Sequence, residues 1–246
     1  MFGETWGDGA PEVLVLHGWR RTHADFSSSV GPASPRGALA TLAPDLPGFG
    51  ATPPPPEVWG SAEYAAAVAG VLEAESSGRA LVVVGHSLGG RVAVQLAAHH
   101  PEAVGALVLT GAPLVPRTGA RRPTPPAFRM VRALHRARLV SEARLERARR
   151  RYGSDDYRAA QGVMRAVLVR MVNERYDDAL AALRCPVELV WGDDDRDAPV
   201  EVARAIAARV PGAVVTVCEG AGHLVPTTAA GQLRAAVERA LVHRPA

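Results

Sequence analysis

Apolar residues gather in short, nearly unbroken runs separated by longer stretches of helical periodicity. Residues 13–16, 80–84, 104–109, 187–191 and 213–217 are almost entirely apolar and too short for helices, which reads as strands buried on both faces. Residues 41–43 are a weaker strand candidate, closed by Pro44. Helical patterns fill the gaps at residues 61–76, 87–100, 200–210 and 228–242, with Gly78 stopping the first and Pro101 bounding the second. Strand and helix in alternation predict an α/β fold, a mostly parallel sheet with helices on both faces.

Residues 114–182 interrupt this rhythm. Pro and Arg crowd residues 116–126, and three helical stretches follow at 128–138, 141–151 and 155–173. In the third, Val163, Met164, Val167, Leu168, Met171 and Val172 form one apolar stripe, which reads as a face packed onto the main body. The chain therefore divides into a core of residues 1–113 and 183–246 and a helical insertion between them.

With 246 residues, 48% of them hydrophobic, the chain has material for a sizeable core. No apolar run reaches the length of a membrane-spanning helix. Residues 1–6 carry neither basic residues nor an apolar stretch, so a secretory signal is not expected there. Cys185 and Cys218 lie in no metal-ligand spacing and at opposite ends of their strands, which excludes a disulfide framework and fits a cytoplasmic protein. All 28 basic residues are arginine. The insertion holds 16 of them against 7 acids, a net +9 where the whole chain has +3, which leaves the core at −6. Arginines recur on every face of residues 141–151, the mark of a solvated surface rather than a steering patch. No aromatic-interleaved basic stripe or reading motif points to nucleic acid.

The chemistry concentrates in Gly85-His86-Ser87-Leu88-Gly89, a G-x-S-x-G sequence that follows a strand and opens a helix. In that context the serine stands on a sharp turn at the carboxyl edge of the sheet, where open α/β folds bind ligands. A serine hydroxyl needs a base to take its proton and a carboxylate to orient that base. Of eight histidines, His223 is the best placed, in a glycine-rich loop after the strand at 213–217. His99, His100, His135 and His243 lie on helical, solvated stretches. Four aspartates, Asp193, Asp194, Asp195 and Asp197, leave the strand at 187–191, and spacing alone does not choose among them. An oxyanion hole needs two convergent amides; Leu88 supplies one and Trp19, in the His17-Gly18-Trp19 turn, the other. Candidates for substrate contact are His17, Asn173, Glu174 and Tyr176, with His17 and His86 also placed to shape loops by hydrogen bonding.

Taken together these motifs resemble the α/β-hydrolase superfamily over nearly the whole chain. The matching pieces are H-G-x at His17, the D-x-P-G-x-G turn at Asp45 to Gly50, G-x-S-x-G at Gly85, G-x-x-D-x-x-x-P at Gly192 to Pro199 and G-x-G-H at Gly220 to His223. The resemblance implies a triad of Ser87, Asp195 and His223, with Asp194 as the fallback acid, and a helical cap at 114–182. It also implies about seven strands, because only residues 2–6 precede the H-G strand. A serine nucleophile points away from relatives that displace halide through an aspartate. Hydrolysis of a small-molecule ester or related acyl bond without a cofactor leads the expectations. A carbon–carbon bond hydrolase or lyase for an anionic metabolite, and a catalytically silent binding protein, are the alternatives.

Overall fold

The computed structural model describes residues 1–75, 78–116 and 125–244. Its seven strands are β1 (Gly3–Trp6), β2 (Val13–Leu16), β3 (Thr41–Pro44), β4 (Leu81–His86), β5 (Val104–Thr110), β6 (Val187–Gly192) and β7 (Val214–Cys218). They form one sheet in the order β1-β3-β2-β4-β5-β6-β7. Only β1 runs antiparallel, pairing Gly3 with Pro44 and Trp6 with Thr41. In chain order the helices of the first half are α1 (Ser61–Glu75) and α2 (Leu88–His99). The insertion carries α3 (Pro126–Arg136), α4 (Glu142–Tyr152), α5 (Asp155–Ala159), α6 (Gly162–Met171) and α7 (Asp177–Ala182). The chain then closes with α8 (Val200–Ala207), α9 (Val225–Thr228) and α10 (Ala230–His243).

The unbroken apolar runs follow from this layering. Along β2, Leu14 and Leu16 face the layer of α1, α2 and α8, whereas Val13 and Val15 face the layer of α10. The same alternation puts Leu81 and Val83 of β4 on the first side and Val82 and Val84 on the second. All eight are essentially inaccessible to water, and each such burial contributes about 1.5–3 kcal/mol.

After β2 the chain places β3 on one side, then returns by α1 to place β4 on the other. This reversal opens a crevice at the carboxyl ends of β2 and β4. Trp19 follows the first strand and Ser87 the second.

The strand expectations hold, while the helices differ in detail. The expected single helix at 155–173 is two, α5 and α6, because Ala160 is extended (ψ 138°) and Gly162 is left-handed (φ 51°). The sequence reading missed α7 and α9, and α8 ends three residues early. Position 76, the expected end of α1, and most of the Pro- and Arg-rich stretch at 116–126 lie outside the described residues. Glu174 ties the insertion to the core, accepting hydrogen bonds from the Ser61 amide (3.1 Å) and hydroxyl (2.6 Å). Arg170 adds an ion pair with Glu63 at 2.5 Å. Val167 and Met171 of the apolar stripe are buried, as packing requires. Cys185 and Cys218 are free thiols. Among the described residues no helix is long and apolar enough to cross a membrane.

Candidate functional site

Ser87 sits between β4 and α2 at φ 51°, ψ −106°, a conformation that a side-chain-bearing residue adopts only when its surroundings enforce it. Its amide is held by the Thr110 carbonyl at 2.9 Å, and the next turn of chain is drawn against β2 by Gly89, whose amide donates to the His17 carbonyl at 3.0 Å. A Cβ on Gly89 would lie 1.9 Å from the Leu16 carbonyl oxygen, so the close approach that lifts the serine requires glycine.

Ser87 and His223 line the same cavity of about 330 Å³. His223 leaves the loop after β7 and donates through Nδ1 to Asp195 Oδ2 at 2.8 Å. That bond fixes the ring so that Nε2 is the nitrogen left for other partners. Asp195 is buried, and its second oxygen accepts from the amides of Asp197 (2.9 Å) and Ala198 (2.8 Å). The buried Trp191 indole donates to the Ala198 carbonyl at 2.6 Å, which pins this loop to the end of β6. The geometry thus separates the four aspartates: Asp194 is exposed beside Arg196, Asp193 accepts from the Gly220 amide, and Asp195 alone meets the histidine.

Burial works against a charge on His223, but the hydrogen bond and charge of Asp195, followed by Asp197 and Asp156, outweigh it and raise its pKa. His86 lies beside it, ring centroids 4.9 Å apart, with the opposite outcome: burial first, then the charge of His223, push its pKa down to about 3. The backbone amides of Trp19 and Leu88 have no acceptor among the described residues. They flank the Ser87 side of the crevice, and Trp19 and Leu88 line a smaller cavity of about 130 Å³ together with Ser87, Leu168, Met171 and Val172.

The four expected contact residues lie elsewhere. His17 is fully buried and has both ring nitrogens engaged, Nδ1 donating to the Gly18 carbonyl and Nε2 accepting from the Leu46 amide at 2.9 Å. It shapes the loops rather than the cavity. Asn173, in the turn after α6, is exposed and donates to the Val169 carbonyl in the last turns of that helix. Tyr176 is buried with its hydroxyl on Glu174, so both belong to the tie between insertion and core. Other residues went unnoticed in the sequence. Asp156 of α5 lines the cavity beside Ser87, as does Asp197, which the sequence offered only as a candidate acid. Gly111, left-handed at φ 57°, leaves room for His223, whose Cε1 would lie 2.9 Å from a Cβ there. The only signal in the chain for Gly111 was its place directly after a strand at the carboxyl edge. Among the described residues no group of three or more His, Cys, Asp or Glu side chains is arranged to hold a metal ion.

Comparisons with known proteins show the family. A pimeloyl-[acyl-carrier protein] methyl ester esterase of Aromatoleum aromaticum is 32% identical over 239 residues, covering 87% of this chain and 91% of that protein. A 2-hydroxy-6-oxononadienedioate/2-hydroxy-6-oxononatrienedioate hydrolase of Cupriavidus pinatubonensis is 28% identical over 245 residues, 88% of this chain and 82% of its own. Among solved structures, a thermophilic esterase from Thermogutta terrifontis superposes with a TM-score of 0.71 at 24% identity, covering 98% of this chain and 93% of that one. The model of the alpha/beta hydrolase family matches residues 13–236, which takes in every strand from β2 to β7 and both loops that meet at Asp195 and His223. The chain is a hydrolase and belongs to the alpha/beta hydrolase family.

Proposed function

We propose that the protein is a serine esterase that cleaves a small-molecule ester through an acyl-enzyme. The observation that carries this reading is the His223–Asp195 pair facing the cavity that Ser87 lines, next to two amides without acceptors. Ser87 Oγ attacks the carbonyl carbon while Nε2 of His223 takes its proton, and Asp195 stabilises the imidazolium that forms. The carbonyl oxygen, now negative, is bound by the amides of Trp19 and Leu88, each worth about 3 kcal/mol in the transition state. The imidazolium then protonates the leaving alkoxide, and a water molecule deprotonated by His223 releases the acid from Ser87. These steps call on no cofactor or metal.

Residues 1–113 and 183–246 act as the catalytic core and 114–182 as a cap, which contributes Asp156, Leu168 and Val172 to the walls around Ser87. The partner is a small molecule rather than nucleic acid, and the free thiols Cys185 and Cys218 suit a reducing cytoplasm. A methyl ester esterase among the relatives supports ester cleavage. The dienedioate hydrolase raises a second reading, carbon–carbon cleavage of an anionic substrate. It ranks lower because the cations around the cavities are engaged. Arg21 is bound through two hydrogen bonds of 2.6 Å to Asp25, and Arg91 donates to the Met171 carbonyl and lies over the Tyr176 ring. Asp156 and Asp197 meanwhile present carboxylates to the same space.

Labelling by a fluorophosphonate and turnover of short-chain p-nitrophenyl esters, both lost in Ser87→Ala, test the reading. A folded wild-type protein that takes no label at Ser87 overturns it. Labelling without ester turnover, together with cleavage of a dienedioate, replaces it with the second reading.

A further inference from the structure

Among the described residues, Trp19 alone is common to three cavities around the site. The first is the 330 Å³ cavity of Ser87 and His223, and the second the 130 Å³ apolar cavity against Leu88 and Met171. The third, of 470 Å³, lies between Gly48, Phe49 and Pro54 of the core and Ala160, Gln161 and Met164 of the insertion. The first two also share Ser87, Pro113, Asp156 and Val172, so they form one space around the serine. The third shares with that space only Trp19 and, on the His223 side, Arg21, which Asp25 holds in place. The 130 Å³ cavity and the third chamber therefore meet at Trp19 alone among the described residues. Its ring stands edge-on to Phe49, centroids 5.0 Å apart, and its Nε1 is buried with no hydrogen-bond partner. Packing alone holds this wall.

The chemistry assigns the two sides of Ser87. His223 must reach the leaving oxygen, so the alcohol portion of an ester lies in the cavity that His223 lines. The acyl portion then takes the 130 Å³ apolar cavity, room for about four water-sized volumes at roughly 30 Å³ each. We propose that the Trp19 indole is the specificity-determining wall that restricts this hydrolase to short acyl chains, and that the chamber behind it becomes an extension of the acyl site when the indole is removed. This rests on the serine-esterase reading and adds the substrate class to it: esters of short, uncharged carboxylic acids.

The test compares kcat/KM for p-nitrophenyl octanoate and butyrate. Wild type favours butyrate. Trp19→Ala keeps the backbone amide and opens the chamber; since each methylene taken out of water is worth roughly fourfold, the octanoate-to-butyrate ratio rises at least tenfold. Trp19→Leu, the variant to use if the alanine form does not fold, gives a smaller rise in the same direction. Ala160→Phe, which fills the third chamber without touching the space around Ser87, leaves the wild-type ratio unchanged and returns that of Trp19→Ala to near wild type. Rates of Ser87 labelling by ethyl and octyl fluorophosphonates give the same comparison without ester turnover. A ratio that stays within twofold in both Trp19 variants overturns the wall, and a gain that Ala160→Phe does not reverse overturns the chamber. Either result leaves the esterase reading standing, whereas wild-type protein that takes neither phosphonate overturns both.

Discussion

Replacing Asp195 with asparagine removes one charge and almost no volume, which makes it the sharpest perturbation of the proposed triad. The side-chain oxygen of asparagine can still accept from the amides of Asp197 and Ala198, so the loop keeps its shape. Toward His223 the substitution presents an amide donor where a carboxylate accepted at 2.8 Å. The ring must then carry its proton on Nε2, the nitrogen that should receive the serine proton. The transition state also loses its counter-charge: at about 3–4 Å and an effective dielectric near 20, the attraction is roughly 4–6 kcal/mol before desolvation is subtracted. Loss of kcat by about 10³- to 10⁴-fold follows, in line with serine triads generally. A pH series adds a second readout. His223 must be neutral to act as base, and its raised pKa places the rising limb of kcat/KM above the ordinary histidine value of 6.5 in wild type. In Asp195→Asn the largest raising influences are gone and burial remains, so the limb of the residual activity moves to lower pH. Asp194→Asn, at an exposed position, leaves both quantities within about twofold. Steady-state hydrolysis of p-nitrophenyl acetate between pH 5 and 9 measures all three proteins. An Asp195→Asn enzyme within tenfold of wild type, or an equal loss in Asp194→Asn, refutes the assignment.

Four further outcomes are open to measurement. Asp197→Asn removes a carboxylate that helps hold the proton on His223, so the rising limb of kcat/KM shifts to lower pH with kcat at high pH little changed. Ser87→Gly relieves the left-handed strain at φ 51° and stabilises the fold by about 1–2 kcal/mol while abolishing turnover, which differential scanning calorimetry reads as a rise in Tm of roughly 2–8 °C. Gly111→Ala places a methyl 2.9 Å from the His223 ring at a left-handed position, and kcat falls at least about 100-fold; a fully active variant would remove Gly111 from the account. Asp45 is buried, and although burial itself opposes the charge, bonds from the His23 amide and ring outweigh it and depress its pKa. Its stabilisation is therefore present above the unfolded aspartate pKa and lost as pH falls through the depressed one. Urea titrations should show Asp45→Asn about 2 kcal/mol less stable at pH 7 and less sensitive than wild type to acid below pH 4.

The parts legible in the sequence are those fixed by local rules. Strands β2, β4 and β5 announce themselves because helices cover both faces and every side chain must be apolar. Ser87 is legible because the turn that lifts it needs glycine two residues on, where a Cβ would meet the Leu16 carbonyl. The insertion is less so. The expected helix at 155–173 runs across the break at Ala160 because the apolar positions that set its period, Val163 to Val172, all lie after the break and do not mark where the helix begins. α7 is a six-residue helix whose buried Ala179 and Leu180 give too short a period to recognise. Asp156 reaches the cavity only because the insertion folds back over β2 and β4, a long-range event with no local mark. Among the four aspartates, the choice depends on which carboxylate two backbone amides and an imidazole can reach at once, a property of the turn rather than of the spacing.

In the proposed mechanism the fold, rather than residue type, assigns the acid–base roles of two neighbouring histidines. His86 and His223 have rings 4.9 Å apart and the same intrinsic chemistry. His86 closes β4, is almost wholly buried, and has no carboxylate beside it. With a pKa near 3 it stays neutral throughout the working range and presents His223 with an uncharged neighbour. His223 sits on a loop where Asp195 is within hydrogen-bonding distance and Asp156 and Asp197 are close enough to act by charge. Both rings line the cavity of Ser87, but in the proposed mechanism protonation settles on only one of the pair, the one with an anion behind it. Were His86 also able to charge near neutrality, repulsion across 4.9 Å would lower the basicity of His223 at the moment it must accept the serine proton. In the proposed mechanism, burial of the first histidine thus helps to make the second an effective base.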